Sequence, residues 1–394
     1  MNVPKRILLL DTGNEWGGGT NSMIELLKRL DRTRFTVTAC FYHNYRHGDS
    51  TLQEALAAIE IPLVILPTRR QPGWAKLAKE LVRGLLFWHK PRRAAAVFNI
   101  ELVWRIKPRA RALARLLREG KFALLYMNNQ PSSNLEGYLA AESAGVPVVQ
   151  HCRIEPRINA IERDIIQRVA HAVICVSHGV REALLRQGVR PALCHVVYNG
   201  IDTQQPLPAA QPLVDVAPGT QVVGTIGSLI KRKSVDHLLR AVARLPSDLM
   251  PHVLIVGEGP EEAALRQLAG ELGLASCVTF AGFQRQPLPW LAAMDVFVLT
   301  SSSEGLPRVI LEAMLLEKSV VASRIVGSSE VVIPGETGFL YDYGDVKMLS
   351  GYLALLLRDP AKRQAMGAAG RRRASAEFSI ETYVAGVSRI LENA

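Results

Sequence analysis

Residues 302–314 read S-S-E-G-L-P-R-V-I-L-E-A-M and join two stretches of different pattern. They follow the apolar run Val296–Leu299 and lead into a segment with apolar residues at helical spacing after Pro307. Proline is favoured at the start of a helix, and a glycine before it lets the backbone turn sharply. The pattern therefore predicts a strand, a tight turn and a helix whose first N–H groups are open to an anion such as phosphate.

Two carboxylates, Glu304 and Glu312, stand eight residues apart in this stretch. At about 1.5 Å per helical residue they are separated by about 12 Å. The paired carboxylates of glycosidases lie within about 10 Å of each other, so a glycosidase pair is excluded. At this spacing they can instead hold the two ends of one long ligand, such as the sugar and the ribose of a sugar nucleotide. The alternative is an ordinary helix with two solvated glutamates.

A cationic loop in the same half of the chain suits the diphosphate of such a ligand. It reads S-L-I-K-R-K at residues 228–233 and follows the strand that residues 221–227 predict. Lys233 is the leading candidate, because a strand end and the helix start after Pro307 both favour an anion there. A solvated loop is the alternative.

Apolar runs alternate with helical patterns through the chain, which predicts an α/β fold with parallel sheets. The 394 residues, 48% of them hydrophobic, suffice for two ordinary cores. A proline-rich, unpatterned segment at 204–219 predicts a linker between an N-terminal domain (1–203) and a C-terminal domain (220–375). Residues 376–394 predict a final helix. We interpret residues 335–340 as a hairpin-like turn and Glu330 as an exposed structural residue.

Two features of the N-terminal half are candidate ligand contacts. A glycine-rich loop, Trp16 to Thr20, follows the first predicted strand, and its Gly17 and Gly18 can bring backbone N–H groups close to a phosphate or sugar. A plain tight turn is the alternative. His151 follows the apolar run 146–150, and the carboxyl end of a parallel strand faces the ligand crevice of an open α/β sheet. The alternative is a buried structural histidine.

The basic charge of the chain is confined to one segment, residues 69–121. It holds 15 Lys and Arg against 3 Glu, which leaves a net charge of −1 for the rest of a chain whose total is +11. Three of the five tryptophans also lie there, among leucines at helical spacing. The segment is consistent with an anionic membrane surface, with a nucleic-acid patch, or with amphipathic helices packed on the sheet. The confinement of the charge makes nucleic acid the least favoured partner.

The compartment is expected to be the cytoplasm, with a peripheral position on the inner face of the membrane if the basic segment binds lipid. The N-terminus has a short apolar run ending in Asp11 rather than a signal peptide, and no run reaches the 18 or so apolar residues of a membrane span. The five cysteines are scattered, which indicates reduced thiols. Without H-E-x-x-H or D-x-D, we expect neither a metal nor a cofactor.

The string E-G-L-P-R-V-I-L-E-A-M resembles the E-x7-E signature of retaining GT-B glycosyltransferases, chiefly family 4. Further strings carry the same resemblance through both halves, most clearly from Gly227 to Leu340. The resemblance implies two facing Rossmann-like domains with an interdomain cleft. It also implies transfer of a sugar, with retention, from a nucleoside-diphosphate sugar to a saccharide or lipid-linked acceptor. The setting would be synthesis of bacterial cell-surface polysaccharide, lipopolysaccharide or glycolipid.

The resemblance assigns roles to residues of the C-terminal half. Glu304 would bind sugar hydroxyls and Glu312 the ribose, while the backbone of Gly305 and Leu306 would contact the leaving group. Lys233 matches the lysine that contacts the donor diphosphate. The family's arginine position is Ser228, so we expect Arg232 to supply the missing cation. Ser234 replaces a glycine of the family.

Three further assignments are implied. The backbone after Gly282 would receive the base, which makes Gln284 a candidate. Gly17 and Gly18 match a loop that closes over the donor phosphates, and His151 would contact the donor sugar or the acceptor. Two rival activities remain: a GT-B nucleotide-sugar epimerase or hydrolase, and a basic nucleic-acid-binding protein.

Overall fold

Two parallel sheets form the framework of the computed structural model, which describes residues 3–13, 17–47, 50–68, 70–214 and 216–394, without the side chain of His47. Trp16 of the glycine-rich loop, Arg69 of the basic segment and Asp215 of the predicted linker lie outside the described residues. The chain divides into two compact units. Unit 1 comprises Met1–Cys175, Arg181–His195 and Val387–Ala394, and unit 2 comprises Val176–Val180 and Val196–Gly386.

The first sheet has seven strands in the order β5-β2-β1-β6-β7-β8-β9. The resolved pairs are parallel, with Ile7 opposite Val37 in β1 and β2. A two-stranded antiparallel pair, β3 and β4, lies apart from it. The strands are β1 (Lys5–Asp11), β2 (Phe35–Phe41), β3 (Arg46–His47), β4 (Ser50–Thr51), β5 (Leu63–Ile65), β6 (Leu124–Asn128), β7 (Val148–Cys152), β8 (Ala170–Cys175) and β9 (Cys194–Val196).

Eight helices accompany the described part of this sheet. They are α1 (Gly18–Arg29), α2 (Leu52–Ala57), α3 (Gly73–Leu85), α4 (Lys90–Glu101), α5 (Lys107–Glu119), α6 (Leu135–Ala144), α7 (Ala160–Val169) and α8 (His178–Arg186). A π-helical turn, Leu102–Ile106, joins α4 to α5, and 3-10 turns lie at Pro131–Ser133 and Pro191–Leu193.

The second sheet has six strands in the order β12-β11-β10-β13-β14-β15, all parallel. Its strands are β10 (Val222–Ile226), β11 (His252–Val256), β12 (Val278–Phe280), β13 (Val296–Leu299), β14 (Ser319–Ser323) and β15 (Gly338–Tyr341). Helices α9 (Asp236–Val242), α10 (Glu262–Glu271), α11 (Leu288–Ala292), α12 (Arg308–Leu315), α13 (Val326–Val331), α14 (Val346–Arg358), α15 (Pro360–Glu377) and α16 (Ile380–Asn393) follow in chain order. Short 3-10 turns lie at Lys231–Lys233, Ser247–Leu249 and Ala275–Cys277.

The strands are continuous apolar runs because helices bury both faces of a parallel sheet. Strand β13 has all four residues buried, and helix α12, whose Ile310, Leu311 and Met314 are buried, contacts strands β13 and β14. The core of unit 2 also includes Leu238, Val253, Leu353 and Met366. The predicted strand, turn and helix around residues 302–314 are therefore confirmed, with helix α12 beginning at Arg308.

The prediction of a hairpin-like turn at residues 335–340 was wrong. Residues 335–338 do form a turn, in which the Gly335 N–H donates to the Gly338 carbonyl at 2.8 Å. The residues after it form strand β15, which pairs parallel to β14 instead of closing a hairpin. Four residues at a sheet edge are too short for a distinct pattern. Strand β7 ends at Cys152, so the prediction that His151 lies at the carboxyl end of this strand holds to within one residue.

The basic segment forms helices with different surroundings. Helix α5 packs on the core through Ala110, Leu113, Ala114 and Leu117. Helix α3 buries only Ala75 and Lys79 among its described residues, while its larger apolar side chains are exposed. Of the three interpretations of the segment, amphipathic helices packed within the fold describe α5 and not α3.

None of the helices in the described ranges is both long and apolar enough to cross a membrane.

Candidate functional site

Helix α12 follows the turn that leaves the carboxyl end of strand β13. Strand β13 ends at Leu299, and Pro307 is the N-cap of the helix. In the part of the chain that the structure describes, no side chain caps this helix. Its first N–H groups and the positive end of its dipole are therefore available to an anion.

Three predicted residues meet beside this helix start. Arg232 Nη1 lies 2.9 Å and Lys233 Nζ 2.7 Å from the same oxygen, Oε1 of Glu304. Arg232 also donates to the carbonyl oxygen of Ser303 at 2.7 Å. The expectation that Arg232 supplies the cation missing at Ser228 fits this geometry, because its guanidinium lies beside the ammonium of Lys233.

Backbone anchoring holds the two cations at the end of strand β13. The hydroxyl of Thr300 donates to the carbonyl of Lys233 at 2.7 Å. The Ser302 N–H donates to the carbonyl of Arg232 at 2.8 Å, and its hydroxyl lies 3.2 Å from the same oxygen. Ser234 ends the cationic turn at a φ of 44°, a left-handed conformation that favours glycine, the residue that the resemblance implies at this position. The turn position is therefore defined by three hydrogen bonds from residues 300–302.

Glu304 is ionised and poorly solvated. Its side chain is 11% exposed, against 17% for Lys233 and 35% for Arg232. Burial alone would raise the pKa of the Glu304 carboxyl, but the charges of Lys233 and Arg232 outweigh burial and hold that pKa below its ordinary value. The three groups carry a net charge of about +1, which leaves the site attractive to an anion.

Two glycines let neighbouring strand ends approach the site closely. Gly257 has a φ of 134°, and a Cβ on it would lie 2.0 Å from the carbonyl oxygen of Gly227. Gly227 has a φ of 155°, and a Cβ there would lie 3.5 Å from Lys233 Cε. A side chain at Gly257 would push the β10 and β11 exits apart, whereas a Cβ at Gly227 would make an ordinary van der Waals contact with the lysine and is disfavoured by the positive φ alone.

The remaining candidates on α12 and its turn lie nearby without joining the ion triad. Gly305 and Leu306 are buried, and Asn199 Nδ2 donates to the Leu306 carbonyl at 3.2 Å. Glu312 is one-fifth exposed and lies 3.4 Å from Arg308 Nη2, one helical turn away. The two glutamates therefore have different cationic partners, and their roles in binding a ligand stay predictions.

Ser228 and Gln284 are less directly placed. Ser228 is exposed after strand β10, with no ionic group of its own to offer a phosphate. Gln284 turns back on its own loop, where its Nε2 donates to the Ala281 carbonyl at 2.7 Å. The role of Gln284 in contacting a base stays a prediction.

The glycine-rich loop in unit 1 leads into helix α1. Gly17 is the N-cap of that helix and Gly18 its first residue. A Cβ on either glycine would meet no described atom within 4 Å. Among the described atoms there is therefore space beside Gly17 and Gly18, and their role in binding stays a prediction.

His151 is enclosed in unit 1. Its side chain is 0% exposed, and its Nδ1 lies 2.6 Å from the hydroxyl of Tyr126. Burial, with a smaller contribution from Arg153, lowers the pKa of His151 well below its ordinary value, so the ring is neutral. Contact with a ligand would need the surrounding side chains to move. Its catalytic role stays a prediction.

A chain of hydrogen bonds among Arg153, Asn128 and Asp11 was not predicted from the sequence. Arg153 Nε donates to Asn128 Oδ1 at 2.8 Å, and Asn128 Nδ2 donates to Asp11 Oδ2 at 2.6 Å, which links the carboxyl ends of three strands of the first sheet. The signal was available, since Asp11 and Asn128 both end apolar runs.

Glu330, predicted to be an exposed structural residue, does have a structural role but is partly buried. Its carboxylate accepts from the N–H groups of His178 at 2.8 Å and Gly179 at 2.6 Å, at the start of helix α8. The hydroxyl of Tyr198 lies 3.2 Å from the same carboxylate. Glu330 therefore caps the start of a helix 151 residues earlier in the chain, a contact that the local sequence pattern does not reveal.

Known proteins resemble both halves of the chain. The family model described as Glycosyltransferase Family 4 matches residues 16–205, and the model described as Glycosyl transferases group 1 matches residues 215–373.

Curated relatives match at about one-third identity. The lipopolysaccharide core biosynthesis glycosyltransferase LpsE of Rhizobium meliloti is 30% identical over 57% of this chain and 65% of its own length, slightly less than two thirds. The alpha-maltose-1-phosphate synthase of Mycolicibacterium smegmatis is 33% identical over 63% of this chain and 73% of its own length.

Solved structures resemble the entire chain. The crystal structure of Anabaena HepE in complex with UDP-glucose matches with a TM-score of 0.76 and 24% identity over 99% of this chain and 100% of that chain. A likeness at this identity shows the fold.

Proposed function

Because this chain belongs to the glycosyl transferases group 1, described also as glycosyltransferase family 4, we propose that it transfers a sugar from a nucleoside-diphosphate sugar to an acceptor hydroxyl with retention of configuration. The predicted GT-B class of fold, with two parallel sheets, is confirmed. The observation that carries the proposal is the pair of cations, Arg232 and Lys233, held at one oxygen beside the open start of helix α12.

The main barrier of such a transfer lies in separating a diphosphate from a sugar that develops positive charge. Groups that hold the developing negative charge of the diphosphate therefore contribute most. Lys233 and Arg232 would bind the diphosphate oxygens, together with the first N–H groups of α12 and the backbone of Gly305 and Leu306. The leaving phosphate would take the proton of the acceptor hydroxyl, since same-face attack brings the two together.

The other candidates would hold the rest of the donor. Glu304 would accept hydrogen bonds from sugar hydroxyls and Glu312 from the ribose, while Gln284 lies in the loop proposed to receive the base. Gly17 and Gly18 would offer backbone N–H groups, and Ser228 contributes only its hydroxyl and backbone. His151, neutral at physiological pH, would act as a hydrogen-bonding group rather than a charge.

The names of the relatives suggest the substrates. LpsE is named as a lipopolysaccharide core glycosyltransferase, and HepE was crystallised with UDP-glucose. We therefore favour a UDP-hexose donor and a saccharide or lipid-linked acceptor of a cell-surface polysaccharide or lipopolysaccharide.

The exposed face of helix α3 supports a membrane-surface location for this reaction. Six large apolar side chains between residues 74 and 88 are each more than half exposed: Trp74, Leu77, Leu81, Leu85, Phe87 and Trp88. The four on the helix follow the spacing i, i+3, i+7 and i+11, which places them on one side of it. Single exposed apolar residues are ordinary, but such a contiguous row marks an interaction surface.

Charge favours an anionic lipid surface as its partner. Lys76, Arg83, Lys90 and Arg92 are exposed on α3 and the start of α4. Of these, Arg83 pairs with Glu80. Basic helices with Trp and Leu side chains lie in the headgroup region of anionic membranes. A lipid-linked acceptor would be presented at the same surface.

Donor turnover tests the proposed transfer. UDP-, GDP- and ADP-hexoses are first compared by thermal shift, and labelled sugar is then followed with and without a lipid-linked saccharide acceptor. Lys233→Ala should lower turnover by about 100-fold or more through loss of charge stabilisation. Lys231→Ala, an exposed neighbour in the same turn, is the matched control and should keep its activity. Product from the donor alone would instead indicate a hydrolase or epimerase.

A further inference from the structure

The two cations of the candidate site are neutralised in part by a carboxylate of the chain itself. Arg232 Nη1 and Lys233 Nζ converge on Oε1 of Glu304 at 2.9 and 2.7 Å. This is also the arrangement in which two cations hold an oxygen of a phosphate. We propose that Glu304 takes the place of a diphosphate oxygen in the ligand-free chain, so that a nucleoside diphosphate must displace it. The inference rests on the proposed function.

The contact differs from an ordinary surface ion pair. Glu304 and Lys233 are largely shielded from water, with side chains 11% and 17% exposed, and ion pairs shielded in this way are held more strongly than exposed ones. One oxygen of the Glu304 carboxylate contacts both cations, so displacement of the carboxylate removes an anionic partner from Arg232 and Lys233 together. An incoming diphosphate therefore competes with a well-placed internal anion rather than with water alone.

The cations stay in place when the carboxylate leaves. The carbonyls of Arg232 and Lys233 accept hydrogen bonds from Ser302 and Thr300, which attach the cationic turn to the end of strand β13. Glu304 lies in the turn before α12, whereas the two cations lie on the separate turn Lys231–Lys233. Displacement then requires a change in the glutamate side chain and leaves the anion-binding groups preorganised.

The position of the arginine in this chain makes the double contact possible. Ser228 stands at the position where the family's arginine is expected, and the second cation comes from residue 232, adjacent in sequence to Lys233. Two cations on one short turn can be reached by a single carboxylate.

The consequence is a preference for donor over product. When a sugar donor displaces Glu304, the sugar hydroxyls offer the carboxylate new hydrogen bonds. The product diphosphate carries no sugar, so after transfer Glu304 regains its cations and favours release of the product. Glu304 is thus a specificity-determining residue that weakens binding of the free nucleoside diphosphate.

Calorimetric titration of UDP, GDP and ADP into the full chain tests the inference, using whichever the wild-type protein binds most tightly. Glu304→Gln removes the competing charge and should bind that diphosphate about tenfold or more tightly, because charge-assisted contacts are worth roughly that much. Sugar transfer by the same variant should fall. Glu317→Gln, which interrupts an exposed ion pair with Arg371, is the matched control and should leave affinity unchanged.

Unchanged or weaker diphosphate binding by Glu304→Gln overturns the inference while leaving the proposed transfer intact, provided that the wild-type protein turns over donor. Failure of the wild-type protein both to bind any of the three diphosphates and to transfer sugar overturns both.

A crystal structure of the wild-type protein with the diphosphate avoids any folding defect of the variant. There Glu304 Oε1 should lie more than about 4 Å, the limit of an ion pair, from both cations. Retention of the two contacts in that complex contradicts the inference.

Discussion

Helices α3 and α5 come from the same basic segment, have 13 residues each and are both amphipathic, yet their apolar faces have opposite surroundings. In α5 the apolar face is buried, with Leu113 at 0% exposure. In α3 the larger apolar residues are exposed, with Leu77 at 63%. The comparison teaches that helical periodicity reveals an apolar face but not what covers it.

The inner contacts of the two helices explain the difference. Helix α5 lies against α6, where Arg109 pairs with the buried Glu136 at 3.4 Å and stacks over the ring of Tyr42 at 4.1 Å. Helix α3 is held through Lys79, which pairs with Glu101 and lies 5.4 Å from the centre of the Trp104 ring. A polar anchor of this kind fixes α3 to its neighbour and leaves its apolar row outward.

The largest expected effect is a difference in the free energy of unfolding between matched substitutions in the two helices. Leu113→Ala should lower the free energy of unfolding by about 2–5 kcal/mol, because it opens a cavity in a packed core. The matched change Leu77→Ala should cost less than about 0.5 kcal/mol, as surface substitutions do. Urea unfolding followed by circular dichroism measures both. Equal losses would show that the face of α3 is covered in solution.

The next largest effect is expected on binding to anionic liposomes. Liposomes containing phosphatidylserine should retain the protein at low salt, and the double variant Trp74→Ala, Leu81→Ser should bind about tenfold or more weakly, since each large apolar side chain contributes about 1.5–3 kcal/mol when fully buried. Sedimentation measures the bound fraction. The control is Val214→Ser, an exposed apolar residue elsewhere, which should bind normally.

The salt dependence of liposome binding tests whether charge contributes to it. The Debye length falls from about 10 Å at 0.1 M to about 3 Å at 1 M, so high salt should release the protein if the cations of α3 and α4 attract the surface. Equal retention by neutral liposomes at every salt concentration would remove the electrostatic part of the proposal.

The smallest effect concerns the anchor of α3. Lys79 and Arg105 hold the pKa of Glu101 below its ordinary value of 4.5, although burial acts in the opposite direction. A carboxyl whose pKa is lowered by folding stabilises the fold above its unfolded pKa, and the contribution is lost as the pH falls through the folded value. Glu101→Gln should cost about 1 kcal/mol at neutral pH and nothing in strong acid. Unfolding measured at both pH values checks this, and a pH-independent cost would contradict it.

Much of the candidate site could be predicted because its signals are local. Glycine, proline and the apolar runs at residues 296–314 specify a strand, turn and helix, and Lys233 follows a strand end in the same way. The convergence of Arg232 and Lys233 on one oxygen could not be predicted, because it depends on how two strand exits meet. The same holds for Glu330 and for the burial of His151, which depend on partners distant in sequence.

The sequence by itself determined the alternation of strands and helices, the position of the phosphate-attracting helix start and the family, because these depend on short-range pattern. Only the tertiary structure decided which carboxylate meets which cation, that His151 is buried, and which amphipathic helix is left uncovered. Burial and ion pairing depend on distances between segments far apart in the chain, and these distances exist only once the sheets have assembled.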